Sequence, residues 1–133
     1  MNIGFLGLGK LGLPVSLAVE DKGHKIFGYD ISKQTIDDIR NRKIRYREEW
    51  VDKYLPNTKL EINSIDQLVK NSEIIFVPIQ TPHDPQYEGV TRIPDKRIDF
   101  DYSYLKSGIK DLSDAIEKNG KDKVVIIIST VLP

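Results

Sequence analysis

Apolar residues along the chain fall into two kinds of segment. Short, nearly unbroken runs (Ile3 to Leu6, Lys25 to Tyr29, Glu73 to Val77, Lys123 to Ser129) read as strands, with Ile3 to Leu6 and Glu73 to Val77 buried. Lys59 to Ile62 is shorter and more polar and reads as an edge strand. Between these runs the apolar positions recur at helical spacing. They are Leu11, Val15, Ala18 and Val19; then Ile36 and Ile39 behind Ser32 as N-cap, in a helix reaching about Arg42. Ile65, Leu68 and Val69 follow Ser64 in the same way. Leu105, Ile109, Leu112 and Ile116 form the last helix, capped by Asp101 or Ser103 and stopped by Asn119-Gly120. Arg45 to Tyr54 predicts one more short helix, with Trp50 and Val51 inward and its charges outward. Gln80 to Phe100 carries Pro82, Pro85, Gly89 and Pro94, has no period, and reads as a long loop, of the functional or mobile kind.

This alternation predicts an α/β fold with a doubly wound parallel sheet between two helical layers. Right-handed crossovers arrange five strands in the order 3-2-1-4-5, the Rossmann-type arrangement. A ligand of such a sheet lies beyond the carboxyl ends of strands 1 and 4. Three segments converge there: Gly7 to Gly12, Pro78 to Pro82 and Ser129 to Pro133. The chain stops at that edge, without a crossover helix after strand 5 or a sixth strand, so residues 1–133 are expected to be an N-terminal piece of a longer protein. An open sheet edge predicts poor solubility, or dimerisation through strands or through the footprint of the missing helix.

The first of those segments carries the chemistry. Gly7-Leu-Gly9-Lys10-Leu11-Gly12 has G-x-G-x-x-G spacing, placed between a strand and a helix. Gly7 permits a tight turn, Gly9 lets backbone approach a pyrophosphate, and Gly12 lets helix and strand pack closely. The helix N-terminus offers unpaired N–H groups and about half a positive charge to phosphates. Strand 2 ends on Asp30, about twenty residues after the glycines, where a carboxylate accepts hydrogen bonds from ribose hydroxyls. Its charge would repel a 2′-phosphate, so the expected cofactor is NAD, not NADP. Lys33, three residues on, is expected to pair with Asp30, touch the adenosine, or simply be a solvated residue of the first helical turn.

Composition narrows the rest. Twenty basic and twenty acidic residues cancel, so no global field draws in nucleic acid or an anionic membrane. The longest apolar run, Val124 to Ile128, is far short of a membrane span, and no signal peptide precedes the first strand. The chain has no cysteine, hence no disulfide, no thiolate metal site and no thiol nucleophile, and a cytoplasmic location is the natural expectation. His24 reads as a turn residue and His83 as a loop residue. Asp95, Asp99 and Asp101 suggest a cation site only weakly, and the basic run Arg40 to Arg47 reads as solvated surface.

Taken together, Gly7-Leu-Gly-Lys-Leu-Gly-Leu-Pro14, Gly28-Tyr-Asp30-Ile, Phe76-Val77-Pro78-Ile-Gln-Thr81-Pro82, Asp101-Tyr-Ser-Tyr-Leu105 and Ser129-Thr130-Val-Leu-Pro133 resemble the nucleotide-sugar dehydrogenases acting on UDP-glucose, UDP-N-acetylmannosamine and GDP-mannose. The resemblance covers nearly the whole chain, as that family's N-terminal NAD-binding domain. It implies oxidation of a sugar nucleotide's primary alcohol to a carboxylate by two successive hydride transfers to NAD⁺. A cysteine from a later region holds the intermediate as a thiohemiacetal and then a thioester. It implies cofactor contacts from Gly7, Gly9, Lys10, Leu11, Gly12, Asp30, Lys33, Val77, Pro78, Thr81, Ser129 and Thr130, with Thr130 an auxiliary group positioning water or the nicotinamide. It also implies a nucleotide-sugar partner bound through later regions, a homo-oligomer at full length, and a role in capsule or cell-surface polysaccharide precursors. Arg45 to Leu55 lacks the E-P-G-L segment common in that family, and the loop from His83 to Asp99 is longer than usual. The alternatives are a β-hydroxyacid dehydrogenase-like domain, which shares the glycine segment, and a stand-alone dinucleotide-binding module without catalysis.

Overall fold

Five parallel strands meet in one sheet in a computed structural model that describes residues 1–87, 92, 95–119 and 122–131. They are β1 (Asn2–Leu6), β2 (Lys25–Tyr29), β3 (Glu61–Ile62), β4 (Ile74–Val77) and β5 (Val124–Ile127). The order is β3-β2-β1-β4-β5, as the crossover rule requires, with Ile3 opposite Ile26 on one side and Ile74 on the other. The helices are α1 (Gly12–Asp21), α2 (Lys33–Arg40), α3 (Glu49–Tyr54), α4 (Ile65–Asn71) and α5 (Ser103–Asn119). Ser32 and Ser64 cap α2 and α4 as predicted, each hydroxyl accepting from the N–H three residues on, at 3.2 and 3.4 Å. Asp101 opens α5 by accepting from the Ser103 N–H at 2.8 Å. Gly120, of the expected stop, lies outside the described residues. Among those described, no helix is long and apolar enough to cross a membrane.

Strand alternation sends side chains to two cores. Ile3, Phe5 and Ile26 pack with Leu13, Leu17, Ile39, Val51 and Leu55 from α1, α2 and the α3 region. Leu6, Phe27, Ile75 and Val77 pack with Leu68 and Val69 of α4 and Leu105, Leu112 and Ala115 of α5. The layers are therefore helix, sheet, helix. On β3's side the sheet is tied down by Glu20, whose carboxylate accepts from the Thr58 hydroxyl and, at 2.7 Å, from the Lys59 N–H. On the far side β5 pairs with β4, and its Val124, Val125 and Ile127 are exposed.

Two expectations about facing are corrected. The buried side of α1 is Gly12, Leu13, Ser16 and Leu17, while Leu11 and Ala18 are exposed. The helix is apolar on both flanks, so periodicity alone could not choose between them. Ser16 tolerates burial because its hydroxyl donates to the Leu13 carbonyl at 2.7 Å. Trp50 is the second correction: Val51 is fully buried, but Trp50 is 56% exposed and stacks on Tyr54 at 5.5 Å. Neighbouring helical residues point about 100° apart, so a six-residue helix cannot aim both at the sheet.

Candidate dinucleotide site

The site begins where β1 ends. Gly7 turns the chain with φ +118°, a conformation that suits glycine, and donates its N–H to the Tyr29 carbonyl at 2.8 Å. Leu8 then dives back into the core, where it is 1% exposed and fills the space over Gly28 on β2. A Cβ at Gly9 would meet nothing within 4 Å, whereas one at Gly12 would sit 2.1 Å from the Gly7 carbonyl oxygen and 2.8 Å from Pro78 Cγ. The three glycines thus separate as the motif suggests: one turns, one leaves an open approach, one permits close packing. No side chain caps α1, whose Leu13 N–H donates to the Gly9 carbonyl at 3.0 Å and whose Pro14 has no N–H, so it is the positive end of the helix dipole that suits an anion at this edge.

Asp30 sits across from this turn and does more than the sequence indicated. Its Oδ2 accepts from the Leu8 N–H at 2.7 Å and its Oδ1 from the Ser32 N–H at 2.8 Å. The carboxylate therefore locks the glycine turn to the start of α2. Each oxygen keeps lone-pair capacity for a further donor such as a ribose hydroxyl. Lys33 is exposed and, among the described residues, makes no ion pair with Asp30, which leaves a solvated residue of the first helical turn or a contact with the adenosine. The carboxylate's near neighbours are backbone donors.

The opposite wall comes from the ends of β4 and β5. Thr81 Oγ1 donates to the Thr130 carbonyl at 2.8 Å, and Ser129 Oγ donates to the Val77 carbonyl at 3.1 Å. These bonds staple the two strand ends together. Pro78 lies against Gly7 and Gly12 and joins this wall to the glycine turn. Val77 is fully buried, so its side chain belongs to the core and only its backbone faces the edge. Thr130 is exposed; Leu132 and Pro133, of the same expected segment, lie outside the described residues. Beyond β4, the Asp101 N–H donates to the Pro82 carbonyl at 2.8 Å and closes the base of the long loop. Within the loop His83 meets the Phe100 ring edge-on at 6.4 Å, and no described cluster of residues could hold a metal ion.

Lys10 and Leu11 are exposed at the tip of the turn, and Lys10 Nζ lies 6.0 Å from the ring of Tyr46. Sequence patterning passed over Tyr46, which sits in the middle of the basic run. Its hydroxyl is buried without a hydrogen-bond partner among the described residues, and burial, then the nearby Glu48 carboxylate, raises its pKa above the usual tyrosine value. Because an unsatisfied buried hydroxyl costs about 1–3 kcal/mol, Tyr46→Phe is expected to leave thermal stability equal or higher. A lower melting temperature in that variant would mean the hydroxyl has a partner in solution.

The NAD binding domain of the UDP-glucose/GDP-mannose dehydrogenase family matches residues 1–133. The chain belongs to that family. It is 31% identical over 136 residues to Protein CapL of Staphylococcus aureus, covering 99% of this chain and 27% of the relative. It is 28% identical to the UDP-N-acetyl-D-mannosamine dehydrogenase of Pyrococcus horikoshii, covering 100% of this chain and 29% of that protein. The fold superposes on a GDP-mannose dehydrogenase ternary complex from Pseudomonas aeruginosa with a TM-score of 0.81 at 24% identity, over 100% of this chain and 29% of that one. The chain thus spans under a third of the length of these relatives. As a dehydrogenase NAD-binding domain it takes NAD as cofactor, and the open face of Gly9 and the carboxylate of Asp30 fit that group. A match over all 133 residues displaces the β-hydroxyacid dehydrogenase reading, which rested on the glycine segment alone.

Proposed function

We propose that this chain is the cofactor half of a longer enzyme that oxidises the primary alcohol of a UDP- or GDP-sugar to the carboxylate. The observation that carries the reading is the family match over the whole chain, together with a glycine turn whose open approach faces a carboxylate anchored by backbone. NAD, when bound, supplies the hydride acceptor. Gly9 and the N-terminus of α1 hold its pyrophosphate, flanked by Lys10 and Leu11, while Gly7 and Gly12 set the turn. Asp30 takes the adenosine ribose, and Lys33 borders the adenosine from the first turn of α2. The nicotinamide end lies against Pro78, the backbone of Val77, Thr81, Ser129 and Thr130. The hydroxyl hydrogens of Thr81 and Ser129 are already given to backbone carbonyls, so their oxygens are free to accept. That suits a donor such as a carboxamide N–H. Thr130 positions water or the nicotinamide. The nucleophile and the sugar-nucleotide pocket come from outside these residues, since the chain has no cysteine.

That same absence favours one other reading, a non-catalytic dinucleotide-binding module. The gene product purified from its source cells separates the two. It is expected to reduce NAD⁺ with UDP-glucose, UDP-N-acetylmannosamine or GDP-mannose, forming two NADH per sugar. NADH binding without turnover on any of these would replace the enzyme reading with the binding module.

A further inference from the structure

A pyrophosphate carries two negative charges, and the glycine turn has few backbone donors left to meet them. The Gly7 N–H is given to Tyr29, the Leu8 N–H to Asp30 and the Leu13 N–H to Gly9, while Pro14 has none. From Gly7 to Pro14 the one charged side chain is that of Lys10. It is exposed at the tip of the turn and, among the described residues, makes no ion pair. The ring of Tyr46 lies 6.0 Å from its Nζ. That ring is fixed from both sides. Before it, Arg45 Nε bonds Asp38 of α2 at 2.8 Å, and Ile44 packs against the core that holds Leu8 and Leu13. After it, Val51 of α3 is fully buried. A mobile lysine thus meets an anchored ring, so the ring sets where the lysine stands.

We propose that Tyr46 is a positioning residue for cofactor binding, whose ring holds the Lys10 ammonium at the glycine turn as counter-charge to the NAD pyrophosphate. The inference rests on the placement of that pyrophosphate at Gly9 proposed above. A ring face attracts a cation without neutralising it, so the ammonium keeps its whole charge for an anion. A carboxylate partner would instead compete with the phosphates. Glu48, the carboxylate near Tyr46, makes no ion pair with Lys10 among the described residues. Pinning a lysine also costs rotamer freedom, and one already held by a ring loses less of it when the cofactor arrives. The Tyr46 hydroxyl has no part in this, being buried without a partner among the described residues. Ring and hydroxyl can therefore be separated by mutation.

Calorimetric titration of NADH into the 133-residue chain and its variants, at low and moderate salt, tests the proposal. Lys10→Met is expected to weaken binding about tenfold, the scale of a contact to a charged group, and to flatten its salt dependence. Tyr46→Leu should weaken it about two- to fivefold, the scale of a cation–π contact, and Tyr46→Phe should bind as the wild type does. In the double variant the loss from Tyr46→Leu should vanish, because no ammonium is left to hold. Lys59→Met, which removes one charge beside the start of β3 at the opposite end of the sheet, should leave binding unchanged. In the ligand-free chain the Tyr46 ring current should shift the Lys10 ε-protons upfield, in the wild type and Tyr46→Phe but not in Tyr46→Leu. Wild-type affinity in Lys10→Met, a Tyr46→Leu loss that adds in full to that of Lys10→Met, or weaker binding by Tyr46→Phe would each overturn the proposal. A wild-type chain that binds no NADH would remove the dinucleotide site itself, and this inference with it.

Discussion

Asp30→Ala is expected to weaken NADH binding by about 1.5–3 kcal/mol, roughly tenfold to a hundredfold, the scale of losing hydrogen bonds to a charged group. The same substitution is expected to lower the stability of the ligand-free protein. Both carboxylate oxygens accept backbone N–H groups, from Leu8 in the glycine turn and from Ser32 at the start of α2. Alanine leaves both donors to find water in a half-buried place, at a cost of about 1–3 kcal/mol. Asp30→Asn retains one acceptor oxygen and should fall between the two proteins on both readouts. Titration with NADH and urea unfolding of the three proteins check this. An Asp30→Ala protein with wild-type NADH affinity would remove the ribose role; one with a wild-type urea midpoint would remove the lock on the turn.

Gly12→Ala should produce the largest loss of stability. Its new Cβ would lie 2.1 Å from a backbone carbonyl oxygen and 2.8 Å from a proline ring, neither of which can swing aside as a long side chain can. Overpacking commonly costs about 1–3 kcal/mol, and the rigidity of both neighbours puts this position at about 3 kcal/mol or more. Against a total stability of about 5–15 kcal/mol, that is a large fraction. Urea unfolding measures it directly, and a midpoint close to wild type would mean that α1 can back away from the turn at little cost. NADH binding should fall in the same variant, because the turn and the helix N-terminus are spaced by this contact.

Much of this was legible in the sequence because it is local or topological. Strand runs, helical spacing and the serines at positions 32 and 64 are short-range signals, and the hand of the crossover then dictates the strand order. The roles of Gly7, Gly9 and Gly12 followed from motif spacing. What escaped depends on residues far apart in the chain. The bond from Leu8 to Asp30 joins residues 22 apart, and the burial of Leu8 depends on the bare surface of Gly28, a glycine within a strand that could have signalled a close approach. The burial side of α1 was ambiguous because both flanks are apolar. Trp50 was misread because a large aromatic residue suggests burial, while the short α3 had room for only Val51. Val77 was correctly placed in a strand, but the alternation that makes the strand sends its side chain into the core.

Central to the account is the open face of Gly9, the place where a pyrophosphate can approach backbone. Isothermal titration of NADH into the wild-type chain and into Gly9→Ala, side by side, tests it most directly. A Cβ at Gly9 touches nothing in the protein, so the variant should unfold in urea as the wild type does. Its methyl group nevertheless occupies the approach, and NADH affinity should fall about tenfold or more, the loss of a charged hydrogen bond or two. Equal affinity in the two proteins, or no NADH binding by the wild type, would contradict the account.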